Sequence, residues 1–142
     1  MARGSLLRLL DANANRALEG LRVCEDIARF HLESPQGFRR LRSLRHAVAA
    51  AVKALPVGPT DSARARESGR DLGRRAEASS SVKSLERLLL IDFQRVKESL
   101  RVLEECARLM APRRMMRFQE LRFRTYEVER DLLLSLETVR DR

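Results

Sequence analysis

The stretch Asn13–Phe30 reads NANRALEGLRVCEDIARF, and 79 residues later the chain reads DFQRVKESLRVLEECARL over Asp92–Leu109. The aligned identities are Arg16/Arg95, Glu19/Glu98, Leu21/Leu100, Arg22/Arg101, Val23/Val102, Glu25/Glu104, Ala28/Ala107 and Arg29/Arg108. A second match follows each copy, because FRRLR at residues 38–42 resembles FQELR at residues 118–122. The sequence therefore predicts two copies of one structural unit, related by a pseudo-twofold axis.

Apolar residues recur at spacings of three and four within each copy, which is the pattern of amphipathic helices. We expect helices over about 5–31, 35–55, 84–110 and 113–139, with short turns inside each pair. Short turns make antiparallel neighbours. The predicted fold is all-α: a four-helix bundle in one domain, 1–142, built from hairpin 1 (5–55) and hairpin 2 (84–140).

The connection between the hairpins, residues 56–83, shows no clear periodicity and is long for a bundle. It is rich in arginine: Arg64, Arg66, Arg70, Arg74 and Arg75. A loop of this length and composition is either disordered or functional, and the sequence leaves both readings open.

Composition limits the function classes. The net charge is +9 and arginine supplies nearly all of the positive charge, which favours an anionic partner, either nucleic acid or a small phosphorylated compound. No apolar run is long enough for a membrane span, and we expect a cytoplasmic protein. Cys24 and Cys106 fall on or near apolar stripes and are expected to be buried thiols.

Polar residues border the apolar stripe of helix 1, and equivalent positions of helix 3 repeat them. Asn13, Arg16 and Gly20 correspond to Asp92, Arg95 and Ser99. A polar group at such a flank needs a partner in the protein or in a ligand. The pattern predicts a polar pocket between helices 1 and 3, with a buried network that fixes helix register as the alternative.

Five segments in order resemble one known family. They are DANANRALEGLRVCEDIARF (11–30), LRSLRHAV (41–48), ARESGRDLG (65–73), DFQRVKESLRVLEE (92–105) and ELRFRTYEVE (120–129). Together they resemble the hydroxymethylpyrimidine-phosphate kinase domain of thiamine biosynthesis, which occurs alone or fused in front of thiamine-phosphate synthase. Two positions depart from the family pattern, Glu67 in place of Asp and Asp92 in place of Asn.

The resemblance implies transfer of a phosphoryl group from ATP to 4-amino-5-hydroxymethyl-2-methylpyrimidine phosphate, with Mg²⁺, which gives the diphosphate. Asp71 is then a Mg²⁺ ligand or orients the acceptor, and Glu19 and Glu98 hold arginines or help bind Mg²⁺. The catalytic candidates are Asp71, Arg66, Glu19 and Glu98, and the metal candidates are Asp71 and Glu19.

The resemblance also implies substrate-binding and phosphate-binding residues. Arg16 and Arg95 reach phosphate oxygens, Asn13 hydrogen-bonds the substrate, and Asp92 keeps an acceptor at the equivalent position. The loop adds Arg64 and Arg70, and matched segments add the candidates Arg45, His46, Arg124 and Tyr126.

Two other function classes remain open at this stage. One is a basic nucleic-acid-binding bundle, favoured by the acid-free, arginine-rich stretch 35–60 but lacking a helix-turn-helix or zinc pattern. The other is a non-catalytic docking or dimerisation module associated with thiamine-phosphate synthase. Expected partners are the pyrimidine phosphate and ATP, that synthase, and a second copy of the chain. The chain lacks the alternating strands and helices of a barrel, so synthase activity itself is not expected.

Overall fold

The computed structural model describes residues 2–66, 71–75 and 81–140, and every regular element in these ranges is helical. The elements in chain order are α1 (Ala2–Phe30), α2 (Pro35–Lys53), α3 (Pro59–Ala65), a 3-10 turn (Leu72–Arg75), α4 (Leu85–Met110), a 3-10 turn (Pro112–Arg114) and α5 (Met115–Arg140). The predicted all-α fold with two long helical hairpins is confirmed. Within the described ranges, no helix combines the length and the apolar character that crossing a membrane requires.

Capping residues set where two of the long helices begin. The Ser34 hydroxyl accepts a hydrogen bond from the Gly37 amide at 3.0 Å, with proline in the first turn of α2. The Ser84 hydroxyl accepts one from the Arg87 amide at 3.0 Å at the start of α4. These bonds satisfy amide groups that have no partner inside the helix, so the starts of both helices are encoded locally.

The four long helices form a closed arrangement around one core. Helix α1 packs against α2 and α4, and α5 packs against α4 and α2. The largest fully buried side chains include Phe93, Phe118, Leu21, Leu41 and Leu121. Both cysteines are buried free thiols, as expected, and burial raises the pKa of each.

Helices α1 and α4 run antiparallel and cross at equivalent positions of the repeat. The Cys24 thiol donates to the Leu89 carbonyl oxygen at 3.8 Å. Because the helices run antiparallel, Ala17, seven residues before Cys24, comes opposite Val96, seven residues after Leu89. Both side chains are fully buried. Since Ala17 and Val96 are equivalent in the repeat, the pseudo-twofold axis passes near them.

Gly20 allows this crossing to be close. A Cβ atom added to Gly20 would lie 2.8 Å from Val96 Cγ2 and 3.3 Å from the Asp92 carbonyl oxygen. Real Cβ atoms almost never come within 3.0 Å of another heavy atom. The two helices therefore approach at a distance that only glycine permits at this position.

In its described residues, the connection between the hairpins contains a helix that the periodicity did not reveal. Helix α3 starts with Pro59 at its first position, and the Asp61 carboxylate accepts a hydrogen bond from the Gly58 amide at 3.0 Å. The helix has only 7 residues and buries none of them, so it has no apolar stripe to detect. Its signal was the local start sequence, a proline followed by an acidic residue in the first turn.

We expect Gly20→Ala to lower the free energy of unfolding by roughly 1–3 kcal/mol relative to Gly4→Ala, because the added methyl overpacks the α1/α4 crossing. Gly4 lies in the same helix and a Cβ atom there has nothing within 4 Å, so it reports the gain in helix propensity alone. Urea unfolding followed by circular dichroism measures both variants. Equal effects of the two substitutions contradict the close crossing.

Candidate functional site

A cleft lies between α1 and α4 at the flank of their crossing. It has a volume of about 460 Å³ and is lined by Asn13, Arg16, Arg95, Glu98, Ser99 and Val102. Two of these residues come from α1 and four from α4. The predicted polar pocket between the two repeated helices is therefore present, and it contains an arginine from each copy of the repeat.

The two arginines have little negative charge against them. Among the described residues, Arg16 makes no ion pair or hydrogen bond with another side chain. Arg95 forms one long ion pair, to Asp92, with Nη1 and Oδ1 4.0 Å apart, and its side chain is 65% exposed. Guanidinium groups without a carboxylate partner are available to bind an anion, and phosphate suits their planar geometry.

Polar neighbours are fixed around these arginines. Asn13 is buried, and its amide nitrogen donates to the Leu9 carbonyl oxygen at 2.8 Å. That bond orients the amide and leaves its carbonyl oxygen and one amide hydrogen for a ligand. Across the cleft, Glu98 accepts a hydrogen bond from the side chain of Gln94 at 2.9 Å.

Asp92 occupies the position equivalent to Asn13 but is not among the residues that line the cleft. It is 4% exposed and lies beside Gly20, where its Oδ1 is 3.8 Å from the position of a Cβ atom. Burial raises the pKa of the Asp92 carboxyl, and the nearby Arg95 opposes that effect. The pseudo-symmetry is thus broken at this position, with an amide on one side of the axis and a buried acid on the other.

A second depression adjoins the cleft and contains Asp71. It has a volume of about 330 Å³ and is lined by Ser5, Arg8, Leu9, Ala12, Asn13, Arg16 and Asp71. Asn13 and Arg16 belong to both depressions. The Asp71 carboxylate accepts a hydrogen bond from the Gly73 amide at 2.8 Å, which fixes one of its oxygens.

Arg66, at the end of α3, contacts α1 and does not line the cleft. Its Nε and Nη2 atoms donate to the two carboxylate oxygens of Asp11 at 2.8 and 2.9 Å. Arg66 is 57% exposed and Asp11 14% exposed. The pair fixes the end of α3 against α1, two residues before Asn13, and Asp11 is a residue that the sequence reasoning missed.

Other predicted site residues lie away from the two depressions. Glu19 is exposed on α1 and lines neither of them, and Arg64 is exposed on α3. His46 is exposed on α2. Arg70 lies outside the described residues.

Arg124 and Tyr126 belong to α5 and have other surroundings. Arg124 lines a separate hollow of about 240 Å³ between α2 and α5, lined also by Arg39, Arg40, Ser43, Glu127 and Val128. The Tyr126 ring lies under the Lys97 ammonium, with Nζ 4.7 Å from the ring centroid. The structure does not bring either residue to the α1/α4 cleft.

Arg45 pairs with a buried acid, Glu25. Its Nε and Nη2 donate to the Glu25 carboxylate at 2.6 and 3.3 Å, and the Glu25 side chain is 2% exposed. In hairpin 2 the equivalent acid, Glu104, accepts from Arg122 Nε at 3.2 Å. In each hairpin, therefore, a buried glutamate of the first helix is paired with an arginine of the second helix.

The sequence contained a signal for these buried pairs. Glu25 follows Leu21 by four residues and precedes Ala28 by three, so it lies on the apolar stripe itself, and Glu104 repeats that position. The arginines are harder to find, because Arg122 is equivalent to Arg42 in the repeat whereas Arg45 makes the contact in hairpin 1. A buried carboxylate needs a cationic partner. The second helix of the hairpin can supply an arginine from either of two successive turns, as Arg45 and Arg122 do.

Comparisons with known proteins identify the family of the chain. The sequence model of the ThiD2 family matches residues 8–131. The chain belongs to the ThiD2 family. That match includes both copies of the repeat, the connection between them and every residue of the α1/α4 cleft. No solved structure matches the chain.

Curated relatives of this ThiD2-family chain are named thiamine-phosphate synthase. The relative from Nostoc sp. (strain PCC 7120 / SAG 25.82 / UTEX 2576) is 38% identical over 131 residues, which are 89% of this chain and 35% of the relative. The relative from Synechocystis sp. is 38% identical over 133 residues, 92% of this chain and 37% of the relative. The relative from Rhodopirellula baltica is 31% identical over 138 residues, which are 93% of this chain and 35% of the relative. The chain thus spans about a third of the length of these relatives.

We expect Arg122→Met to lower the free energy of unfolding by roughly 3 kcal/mol, because it leaves the buried Glu104 carboxylate without its inward partner. Arg101→Met is the matched control. Arg101 Nη1 lies 3.6 Å from the same carboxylate but the side chain is 55% exposed, so its loss costs less than about 1 kcal/mol. Thermal and urea unfolding measure the difference, and similar losses for the two variants contradict a structural role for the buried pair.

We expect Asp92→Asn to stabilise the fold at neutral pH and to have little effect at acid pH. Because burial raises the pKa of Asp92, the wild-type chain loses stability as pH rises above about 4, the ordinary carboxyl value, through the raised pKa. The asparagine variant lacks this loss, so its advantage grows with pH. Unfolding experiments from pH 4 to 8 measure this, and an advantage that shrinks with pH contradicts the buried carboxyl.

Proposed function

We propose that this chain acts in thiamine biosynthesis in the cytoplasm, as a kinase that transfers the γ-phosphoryl group of ATP to 4-amino-5-hydroxymethyl-2-methylpyrimidine phosphate. The product is the pyrimidine diphosphate. Membership of the ThiD2 family and similarity to proteins named thiamine-phosphate synthase support the pathway. The observation that supports phosphoryl transfer is that Arg16 and Arg95 line the same cleft.

Charge is the main reason to assign phosphate chemistry to this cleft. Acceptor and donor are both anionic, and bringing them together requires cations that neutralise their phosphate oxygens. Arg16 and Arg95 supply two such cations from opposite sides of the pseudo-twofold axis. Among the described residues Arg16 has no ion-pair partner, and Arg95 has one long contact, 4.0 Å to Asp92, so binding the substrates costs little internal pairing.

The reaction needs positioned groups rather than a covalent intermediate. A phosphate oxygen of the acceptor attacks the γ-phosphorus of ATP, the bond from that phosphorus to the bridging oxygen breaks, and ADP leaves. Arg16 and Arg95 hold the phosphate groups close to one another and stabilise the charge that moves to the departing oxygen. Asn13 binds the substrate through its carbonyl oxygen, which can accept from the aminopyrimidine amine.

Two depressions share Arg16, and this suggests separate places for the two substrates. One contains Arg95 and Glu98, and the other contains Arg8 and Asp71. An arginine that borders both can contact phosphate groups of both substrates at once. Arg66 then acts indirectly, since its pairing with Asp11 holds the end of α3 against α1.

The carboxylates of the two depressions fit Mg²⁺ in the form that phosphoryl-transfer enzymes use. Mg²⁺ usually takes one or two carboxylates and completes its coordination with phosphate oxygens and water. Asp71 and Glu98 offer carboxylates in adjoining depressions, whereas the described residues contain no group of three acidic, histidine or cysteine side chains that forms a cage. Bound Mg²⁺ neutralises phosphate charge, and Asp71 and Glu98 are the residues we assign to hold it.

We expect the purified chain to form the pyrimidine diphosphate and ADP when it is given ATP, Mg²⁺ and the pyrimidine phosphate. The reaction is monitored by ³¹P NMR. Arg16→Gln and Arg95→Gln each lower kcat/KM by about 10²–10³, since each removes a cation that stabilises transferring charge. An absence of turnover in folded protein, with a known kinase active in parallel, contradicts the proposed reaction.

Matched controls come from the same repeat. Arg22 and Arg101 occupy equivalent positions on α1 and α4, are 57% and 55% exposed, and do not line the cleft. Arg22→Gln and Arg101→Gln make the same change in net charge and leave kcat/KM within about threefold. If the control variants lose as much activity as the cleft variants, the reaction is supported but the cleft is not its site.

The docking or dimerisation module is the second candidate, and one observation favours it. The chain corresponds to about a third of relatives that are named as synthases, so it is a part of longer proteins there. A chain without kinase activity that binds a thiamine-phosphate synthase in a pull-down with both purified proteins supports this reading over the kinase.

A further inference from the structure

A third depression continues the α1/α4 cleft along α4. It has a volume of about 460 Å³, and Arg95 and Glu98 line both this depression and the cleft. Farther from the cleft it is lined by Arg87, Leu90 and Ile91. We call it the α4 depression, and we call the one that contains Asp71 the α1 depression. Since the α1 depression also adjoins the cleft, the three hollows form one continuous groove.

The α1 and α4 depressions are equivalent in the repeat. Three pairs of their lining residues are separated by 79 positions: Arg8 and Arg87, Ala12 and Ile91, and Arg16 and Arg95. The sequence match extends into this region, because SLLRLL at residues 5–10 resembles SLERLL at residues 84–89. Helices α1 and α4 are antiparallel, so the two depressions lie at opposite ends of the cleft. The groove therefore has two equivalent arms, and the two cleft arginines lie between them.

The two depressions differ in size and polarity, although the repeat relates them. The α1 depression is smaller, about 330 Å³, and contains the Ser5 hydroxyl, the Asp71 carboxylate and the small side chain of Ala12. In the α4 depression Ile91 replaces that alanine, and Leu90 adds a second half-buried apolar side chain. A larger hollow with an apolar wall suits a nucleobase, whereas the smaller polar hollow suits the pyrimidine acceptor.

We propose that the α4 depression binds the adenosine moiety of ATP, with the triphosphate extending from there to Arg95 in the cleft. This inference rests on the proposed phosphoryl transfer, and it assigns ATP to one arm of the groove and the pyrimidine phosphate to the other. The base packs on Leu90 and Ile91. The Arg87 guanidinium, which has no ion-pair partner among the described residues, is available to stack on the base.

The acidic residues of the α4 depression are compatible with a bound triphosphate. The Glu129 carboxylate is paired with the Lys97 ammonium at 2.8 Å, and these side chains are only 14% and 12% exposed. Glu98, which we assign to Mg²⁺, lies at the boundary between the α4 depression and the cleft. The side chain of Gln94 donates to Glu98 at 2.9 Å and orients it. The carboxylate assigned to the metal is therefore located beside the proposed path of the triphosphate.

Methyl NMR of the full chain tests this assignment directly. The chain contains two isoleucines, Ile91 in the α4 depression and Ile27, which is 6% exposed in the core. The probe is an ATP analogue with an imido group between its β and γ phosphorus atoms, added with Mg²⁺. We expect it to shift the Ile91 methyl signals and to give Overhauser cross-peaks between these methyl groups and adenine protons. Ile27 is the internal control and is expected to show no such cross-peak.

Reciprocal substitutions test which arm binds which substrate. Ile91→Ala gives the α4 depression the residue that the α1 depression has, and it raises the dissociation constant of the analogue about five- to tenfold. Ala12→Ile narrows the α1 depression, so it raises the KM for the pyrimidine phosphate and leaves the affinity for the analogue unchanged. Leu85→Ala is the control, because Leu85 is 44% exposed on α4 outside the α4 depression, and it changes neither constant.

The outcomes separate this inference from the proposed reaction. An analogue that binds at Ile91 in a chain without turnover supports the nucleotide site and contradicts the reaction. Turnover in a chain whose affinity for the analogue falls with Ala12→Ile, and not with Ile91→Ala, supports the reaction but overturns the assignment of adenosine to the α4 depression. A folded chain that does not bind the analogue at about 1 mM contradicts both.

Discussion

The close approach of α1 to α4 at Gly20 is the constraint on which the other features depend. Without a side chain at that position, Val96 and the Asp92 carbonyl pack directly against α1. Because Ala17 and Val96 are equivalent in the repeat, the crossing brings each copy of the sequence against the other. Residues one position before the crossing, Arg16 and Arg95, are consequently brought to one flank, where they line a single cleft.

Arginines in this chain divide into two groups by their partners. Arg45 and Arg122 bind carboxylates that are almost fully buried, and so hold the second helix of each hairpin to the first. Arg16 and Arg95 have no close carboxylate partner among the described residues. A cation that is already neutralised is structural, whereas a cation without a partner at the edge of a cavity is suited to an anionic ligand. This distinction, rather than net charge, is the reason that we propose an anionic ligand for the cleft.

Sequence periodicity predicted the hairpins and the α1/α4 cleft because a repeated amphipathic helix must bury its stripe, and its flanks then meet. It did not predict helix α3, which buries no residue and so has no periodic signal. The contact of Arg66 with Asp11 was also missed, since 55 residues separate them and nothing local specifies the pairing. Glu25 was recognised as part of the repeat but not as a buried acid, because the position equivalent to its partner Arg45 in the second hairpin is Thr125 and the pairing is therefore not repeated.

The most direct test of the close antiparallel crossing is a nuclear Overhauser measurement on the isotope-labelled chain. The Gly20 α-protons are expected to show strong cross-peaks to a Val96 methyl group, because a Cβ atom added to Gly20 would lie only 2.8 Å from Val96 Cγ2. Cross-peaks between Cys24 and Leu89 report the same register. If Gly20 shows cross-peaks to its own helix alone and none to α4, the two copies of the repeat do not meet as described here.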